Sequence, residues 1–155
     1  MKQLLVSKAK PLSSYRWLWL MLVVAASGPG AAQQPASALE TTIRASKWQK
    51  RLLLLCAPGP EDARLTRQRQ LLTPVQPGLA ARDMLVREVI FSQLAAPDQR
   101  YLRERLGVKT TDFVLLLIGK DGGVKRRETA PVPAAQLFST VDAMPMRQRE
   151  MRGPR

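Results

Sequence analysis

Histidine is absent from this 155-residue chain, and cysteine occurs once, at position 56. Without histidine there is no Ser-His-Asp or Cys-His pair to activate a nucleophile, and the commonest metal ligand is missing. A single cysteine closes no intramolecular disulfide and supplies no structural zinc site. Aromatic residues make up only 5% of the chain. They do not interleave with basic residues as a stacking groove requires, which argues against nucleic acid as a partner. Any catalysis would fall to Asp, Glu, Lys, Tyr or Cys56, and no spacing argument marks a carboxylate pair such as Asp83 with Asp121. The GKDGG string at 119–123 lacks the Ser or Thr and the upstream glycine of a phosphate-binding loop, and it lacks the alternating acids of an EF-hand. Met144, Met146 and Met151 read as flexible packing rather than metal ligands, so no metal and no cofactor is expected.

What is present begins with a leader. Lys2, Lys8, Lys10 and Arg16 precede an apolar run from Trp17 to Ala26, which Ser27, Gly28 and Pro29 interrupt. That order is the order of a secretory signal, and the run is about half the roughly 20 residues a membrane span needs. The expected organisation is a signal peptide over 1–32, a polar tail or linker over 33–46, one domain over 47–152 and a short tail over 153–155. An uncleaved anchor is the alternative, and it too places the remainder outside the cytoplasm. The expected location is therefore exported, periplasmic or extracellular, with a mature domain that does not span the membrane. The chain carries a formal charge of +13, and the four leader cations account for all but +9 of it. Such a charge favours anionic envelope components such as lipopolysaccharide, anionic lipid or acidic glycan, although dispersed basic residues also describe an ordinary solvated surface.

Beyond the tail, Leu39 to Trp48 reads as a short helical or irregular approach to the first strand. RLLLLCA at 51–57 is a short continuous apolar run closed by Pro58, Gly59 and Pro60, the pattern of a buried strand. A helix follows, with Pro60 in its first position, Glu61 and Asp62 at the positive end of its dipole, and Leu65, Leu71 and Leu72 on one face. DMLVREVIF at 83–91 reads as a strand, and APDQRYLRERLG as a helix with Pro97 at its start and Gly107 as its stop. DFVLLLIG at 112–119 is a buried strand, and KDGG turns it into the exposed strand VKRRE. A last helix starts near Pro133, with Leu137, Phe138, Val141 and Met144 on one face.

The expected order is strand, helix, strand, helix, strand, strand, helix (βαβαββα). It predicts an α/β, thioredoxin-like fold with a four-stranded mixed sheet flanked by helices. A ferredoxin-like sandwich is the runner-up. The strings KWQKRLLLLCAP, ARDMLV, VLLLIGKDGGVKRR and LFSTVDAMPMRQREM resemble a domain of unknown function found in small exported bacterial proteins. That domain is similar to the one repeated in animal sushi-repeat-containing extracellular proteins and their coiled-coil-annotated matrix relatives. The resemblance implies a thioredoxin-like, peroxiredoxin-related fold. It brings no agreed activity.

In thioredoxins the reactive cysteine stands at the amino terminus of the first helix, where backbone N–H groups and the dipole stabilise the thiolate. Here Gly59, Pro60, Glu61, Asp62 and Ala63 hold that place. Two of these residues are acidic and would repel a thiolate, and there is no Cys-x-x-Cys. Cys56 falls earlier, inside the strand, and reads as a small core hydrophobe. The expected function is therefore an exported, non-catalytic binding or scaffold module of unknown partner. The alternatives are a single-cysteine oxidoreductase using Cys56, and a basic envelope protein that binds anionic glycans or lipids. On the expected topology, Arg51, Arg82, Asp83, Lys120, Asp121 and Arg147 gather at the end of the sheet away from the lost redox position. This charged cluster is the candidate interaction surface. The same residues would serve equally to lock strand ends together.

Overall fold

The computed structural model describes residues 37–153. The expected signal peptide over 1–32, the first four residues of the expected linker and the last two residues of the chain lie outside the described residues. Two strands dominate the interior, and both are the long leucine runs. Strand β1 (Arg51–Ala57) and strand β3 (Val114–Ile118) are buried at every residue. A strand covered on both faces has no polar side to alternate with, which is why these segments read as unbroken apolar runs. The sheet order is β2-β1-β3-β4, with β2 at Met84–Ile90 and β4 at Val124–Glu128. β1 pairs parallel with β2 and antiparallel with β3, and β3 pairs antiparallel with β4, so the sheet is four-stranded and mixed.

Side-chain alternation along β1 divides the core in two. Leu53, Leu55 and Ala57 join Leu115 and Leu117 on one face, under Leu65 and Leu72 of helix α2 (Ala63–Leu72), Leu79 of the short helix α3 (Gln76–Ala80), and Leu137 and Val141 of helix α5 (Ala134–Asp142). Leu52, Leu54 and Cys56 join Leu116 and Ile118 on the other face, under Leu39 and Ile43 of helix α1 (Ala38–Ser46) and Leu102 of helix α4 (Ala96–Glu104). Each fully buried leucine contributes roughly 1.5–3 kcal/mol of transfer free energy. Helix α6 (Pro145–Arg152) differs from the rest, because it buries no residue at all.

Several boundaries depart from expectation, each for a local reason. The polar tail or linker expected over 33–46 is helical from Ala38. Ser37 caps this helix, and the hydroxyl of Ser37 (2.5 Å) and the N–H of Leu39 (3.0 Å) both donate to Asp98 at the start of α4. Helix α2 starts at Ala63 rather than at Pro60, because the Asp62 carboxylate accepts from the N–H groups of Arg64 and Leu65 at 2.8 and 3.2 Å. The expected last helix is two helices, since Pro145 cannot continue α5 and instead opens α6. Buried Gln68 on α2 pins the Val132 loop through both backbone groups of one residue: its amide donates to the Val132 carbonyl at 3.1 Å and accepts from the Val132 N–H at 2.7 Å. Among the described residues, no helix is long and apolar enough to cross a membrane.

Candidate functional site

Parallel strands β1 and β2 begin at one end of the sheet, and antiparallel β3 finishes there. Arg51, the first residue of β1, is therefore a cation at the end of an apolar strand, and it is 1% exposed. Its Nη1 donates to the Arg82 carbonyl at 2.9 Å, and Nη1 and Nη2 each reach one oxygen of Glu150 at 3.2 Å. The backbone N–H of Arg51 donates to the carbonyl of Asp83 at 2.8 Å. Its Nε is buried and has no hydrogen-bond partner.

From Glu150 the charges form one connected chain. Lys120 Nζ lies 2.8 Å from Glu150 and 2.9 Å from Asp83, and Lys50 Nζ lies 2.9 Å from the other oxygen of Asp83. Arg147 reaches Glu150 at 3.5 Å and Asp142 at 3.4 Å, and Arg82 grips Asp142 at 2.6 Å while its guanidinium lies 4.2 Å from the centre of the Phe138 ring. Five cations, Lys50, Arg51, Arg82, Lys120 and Arg147, thus meet three carboxylates, Asp83, Asp142 and Glu150. This pole keeps an excess of positive charge.

The backbone here is constrained as well. Among the described residues, Trp48 and Asp83 are the non-glycine residues with positive φ, at 67° and 50°, a region that costs of order 1–3 kcal/mol for a residue with a Cβ. Both turn toward Lys120: the Trp48 N–H donates to the Lys120 carbonyl at 2.6 Å, and the Asp83 carboxylate receives its ammonium. Trp48 itself stands 64% exposed. The hairpin tip is closed by Gly122 at φ 83° and by Asp121, which accepts from the Gly123 N–H at 3.1 Å and from Lys125 at 2.5 Å.

The structure brings Arg51, Arg82, Asp83, Lys120 and Arg147 into one network. Asp121 sits beside it, paired with Lys125 across the turn, and lines the same cleft as Arg51 and Lys120. Sequence reasoning passed over Glu150, the carboxylate that joins Arg51, Lys120 and Arg147. The signal was there: Glu150 is the single acid in a segment, PMRQREMR, with three arginines. A cleft of about 250 Å³ opens at this pole, between the hairpin tip and the start of α6.

The electrostatics follow the contacts. Hydrogen bonds from Lys50 and Lys120 hold the Asp83 carboxyl at about 2, against an ordinary 3.8. For Glu150, burial pushes the carboxyl up, but the hydrogen bonds of Lys120 and Arg51 outweigh it and leave the group below its usual range. Arg82 lowers Asp142 chiefly by hydrogen bonding, and Lys125 does the same to Asp121. A depressed carboxylate contributes stability that is present above its unfolded value and lost as the pH falls through its folded value. For Asp83 that window runs from about 4 down to about 2. Asp83→Asn is expected to melt below the parent at pH 6 and to converge with it at pH 2. Melting temperature against pH checks this, and a constant offset across the range would count against it.

At the other end of the sheet, Cys56 is free, 0% exposed and packed among Leu52, Leu54 and Leu116. Burial pushes its thiol from 9.0 up to about 12, against a smaller lowering by Arg127. The helix terminus that would serve a thiolate is already occupied by the carboxylate of Asp62. Among the described residues, no group of three or more Cys, Asp or Glu side chains could hold a metal ion.

Comparison with known proteins adds two findings. A family model described as "Domain of unknown function (DUF4174)" matches residues 42–150. Coiled-coil domain-containing protein 80 of Danio rerio is 25% identical over 137 residues, an alignment that covers 73% of this chain and 16% of that protein. The chain thus spans a small fraction of the length of this curated relative.

Proposed function

The chain belongs to the DUF4174 family, and on that premise we propose that it is an exported, non-catalytic binding or scaffold module whose charged pole is its interaction surface. The observation that carries this reading is the concentration of unusual features at one place: a buried arginine, a continuous ion-pair network, the Trp48 and Asp83 backbones held at positive φ, an exposed tryptophan and a cleft. Strained backbone and buried charge both cost stability, and they persist where a site requires them. The far end of the sheet, by contrast, offers a buried thiol and a helix terminus closed by its own carboxylate. That is the arrangement of a thioredoxin-like scaffold without its redox centre. The parallel β1/β2 unit, the antiparallel β3/β4 hairpin and helices on both faces support this assignment. Export rests on the basic and apolar leader. The resemblance to sushi-repeat-containing extracellular proteins and to small exported bacterial proteins agrees with it.

Charge reversal at the rim of the pole tests the proposal. The Arg147 side chain is 16% exposed and contacts Asp142 and Glu150 at 3.4 and 3.5 Å; Arg147→Glu removes both contacts and sets a third carboxylate beside them, so it is expected to lose about 2–3 kcal/mol of stability and still fold. It is also expected to lose the partner that crosslinks to the parent protein in its native envelope. A folded Arg147→Glu protein that still captures the same partner would overturn the surface. Wholesale unfolding of the variant would assign the network to locking strand ends, and that outcome too would count against the proposal.

A further inference from the structure

Among the described residues, three large apolar side chains stand exposed: Trp48 at 64%, Met151 at 53% and Val124 at 41%. All three belong to segments of the charged pole. Trp48 stands just before β1 and gives its N–H to the Lys120 carbonyl, Val124 opens β4 directly after the hairpin tip, and Met151 follows Glu150 on α6. A second set of groups has the same placement. The five cations of the ion-pair network share Asp83, Asp142 and Glu150. Lys47, Arg149 and Arg152 take no part in it: each is exposed, and none makes an ion pair among the described residues. The Lys47 Nζ lies 5.6 Å from the centre of the Trp48 ring, and Arg149 and Arg152 stand on either side of Met151 in α6. Unmatched positive charge and unburied apolar surface are thus interleaved at this pole.

That mixture discriminates among partners. A protein interface closes over an apolar centre from which charge is depleted, whereas here charged residues separate the apolar side chains. A soluble polyanion would use the cations and leave the apolar side chains in water. The headgroup layer of an anionic bilayer takes both: an indole settles at the boundary with the acyl chains, small apolar side chains enter beside it, and Lys and Arg reach the lipid phosphates. The backbone of Trp48 suits this role. Its left-handed conformation at φ 67° is held by the hydrogen bond to Lys120, while its ring gains little burial within the protein in return, so the strain serves to display the ring.

Resting on the reading of this pole as the interaction surface, we propose that its partner is the surface of an anionic phospholipid bilayer. Trp48 is the anchor at headgroup level, and Lys47, Arg149 and Arg152 pair with the lipid phosphates.

Tryptophan fluorescence of the full chain tests the proposal, with Trp17→Phe and Trp19→Phe introduced so that Trp48 alone emits. This readout separates the pole from the leader, whose apolar run can attach the chain to a vesicle without taking Trp48 out of water. On vesicles of phosphatidylglycerol and phosphatidylcholine in equal parts, Trp48 emission is expected to shift to the blue and to be quenched by brominated acyl chains. The quenched fraction gives the ratio of docked to undocked pole. On phosphatidylcholine alone that ratio should fall at least about tenfold, and high salt should lower it on the anionic vesicles. Each cation near such a surface contributes about fivefold in affinity, so Lys47→Glu with Arg149→Glu and Arg152→Glu should lower the ratio at least about tenfold. The melting temperature of this variant should hold, since none of the three has an ion pair to lose. Arg149→Lys with Arg152→Lys should keep docking. Lys109→Glu, a charge reversal in the loop that leads into β3 at the other end of the sheet, should change the ratio by less than about threefold. Absence of the blue shift and quenching on anionic vesicles, equal docking on phosphatidylcholine, or unchanged docking of the triple variant would each overturn the proposal. A blue shift with soluble polyglutamate and none with vesicles would assign the pole to an acidic macromolecule instead. Loss of the crosslinked partner in Arg147→Glu alongside such a failure would leave the interaction surface standing and remove only the bilayer.

Discussion

Glu150→Ala is expected to destabilise the protein by about 3 kcal/mol, at the low end of what breaking a buried ion pair costs, and by more than Arg51→Met. The asymmetry comes from what each substitution leaves behind. Without Glu150, the guanidinium of Arg51 remains 1% exposed and keeps only the Arg82 carbonyl as a hydrogen-bond acceptor. Without Arg51, the Glu150 carboxylate retains Lys120 at 2.8 Å and Arg147 at 3.5 Å, and it is partly open to water. A methionine also fills much of the arginine's volume, and replacing buried ions by apolar groups of similar size is often close to neutral. Glu150 has a second task. Helix α6 buries no residue, so its attachment depends on Glu150 and on Arg147 pairing with Asp142. Urea unfolding should rank the two variants, and trypsin should cut faster at Arg147, Arg149 and Arg152 in Glu150→Ala while the rest of the domain stays intact. Equal stability of the two variants, or greater loss in Arg51→Met, would contradict this account.

Maleimide should label Cys56 of the folded protein at least about a thousandfold more slowly than the urea-unfolded chain. Two effects act together. The thiol is 0% exposed, so reagent reaches it only through openings that approach global unfolding, which for a domain of 5–15 kcal/mol stability are populated at or below roughly one part in a thousand. The thiolate is also disfavoured, since burial raises the thiol to about 12 and only the thiolate attacks. Labelling should therefore follow the unfolding curve as urea is added. Fast stoichiometric labelling in native buffer would restore the single-cysteine oxidoreductase as a reading. Cys56→Ser offers a companion measurement, because a hydroxyl placed in this apolar cluster, in register with Val114 and Val89, loses about 1–3 kcal/mol unless it finds an acceptor.

Which features were legible beforehand depends on the range over which each is decided. RLLLLCA and VLLLI announce buried strands because burial on both faces requires apolar side chains at every position, and a window of five to seven residues is enough to show it. The Asp-Gly hairpin is equally local, since Gly122 supplies a positive φ that the turn demands. So is the burial of Cys56, which follows from its place inside the first run. The second strand and the helix at 96–104 were also readable, from turn signals on either side.

Features decided by competition between neighbouring residues were read less well. Asp62 displaced Pro60 as the start of α2, because a carboxylate that accepts from two N–H groups outweighs a proline that only pre-sets φ. Helix α1 falls in the span expected as a polar tail or linker, and its sequence leaves helical and irregular structure both open because its composition is polar and just two residues, Leu39 and Ile43, are buried. Pro145 was seen as part of a motif and not as the break that turns one helix into two.

The amino-acid sequence by itself therefore determined the central strands, the cores of helices α2, α4 and α5, the hairpin and the absence of a reactive thiol at a helix terminus. Each of these depends on residues within a few positions of one another, where propensity and apolar pattern act directly. Only the tertiary structure decided that Glu150 joins Arg51 to Lys120, that Asp83 lies between Lys50 and Lys120, and that Met144 and Met146 wall a cleft against the hairpin. Those contacts span up to 99 residues, and they exist because a parallel pair and an antiparallel pair bring the starts of β1 and β2 and the end of β3 to one pole. Charge interacts through space, and the sequence orders residues only along the chain.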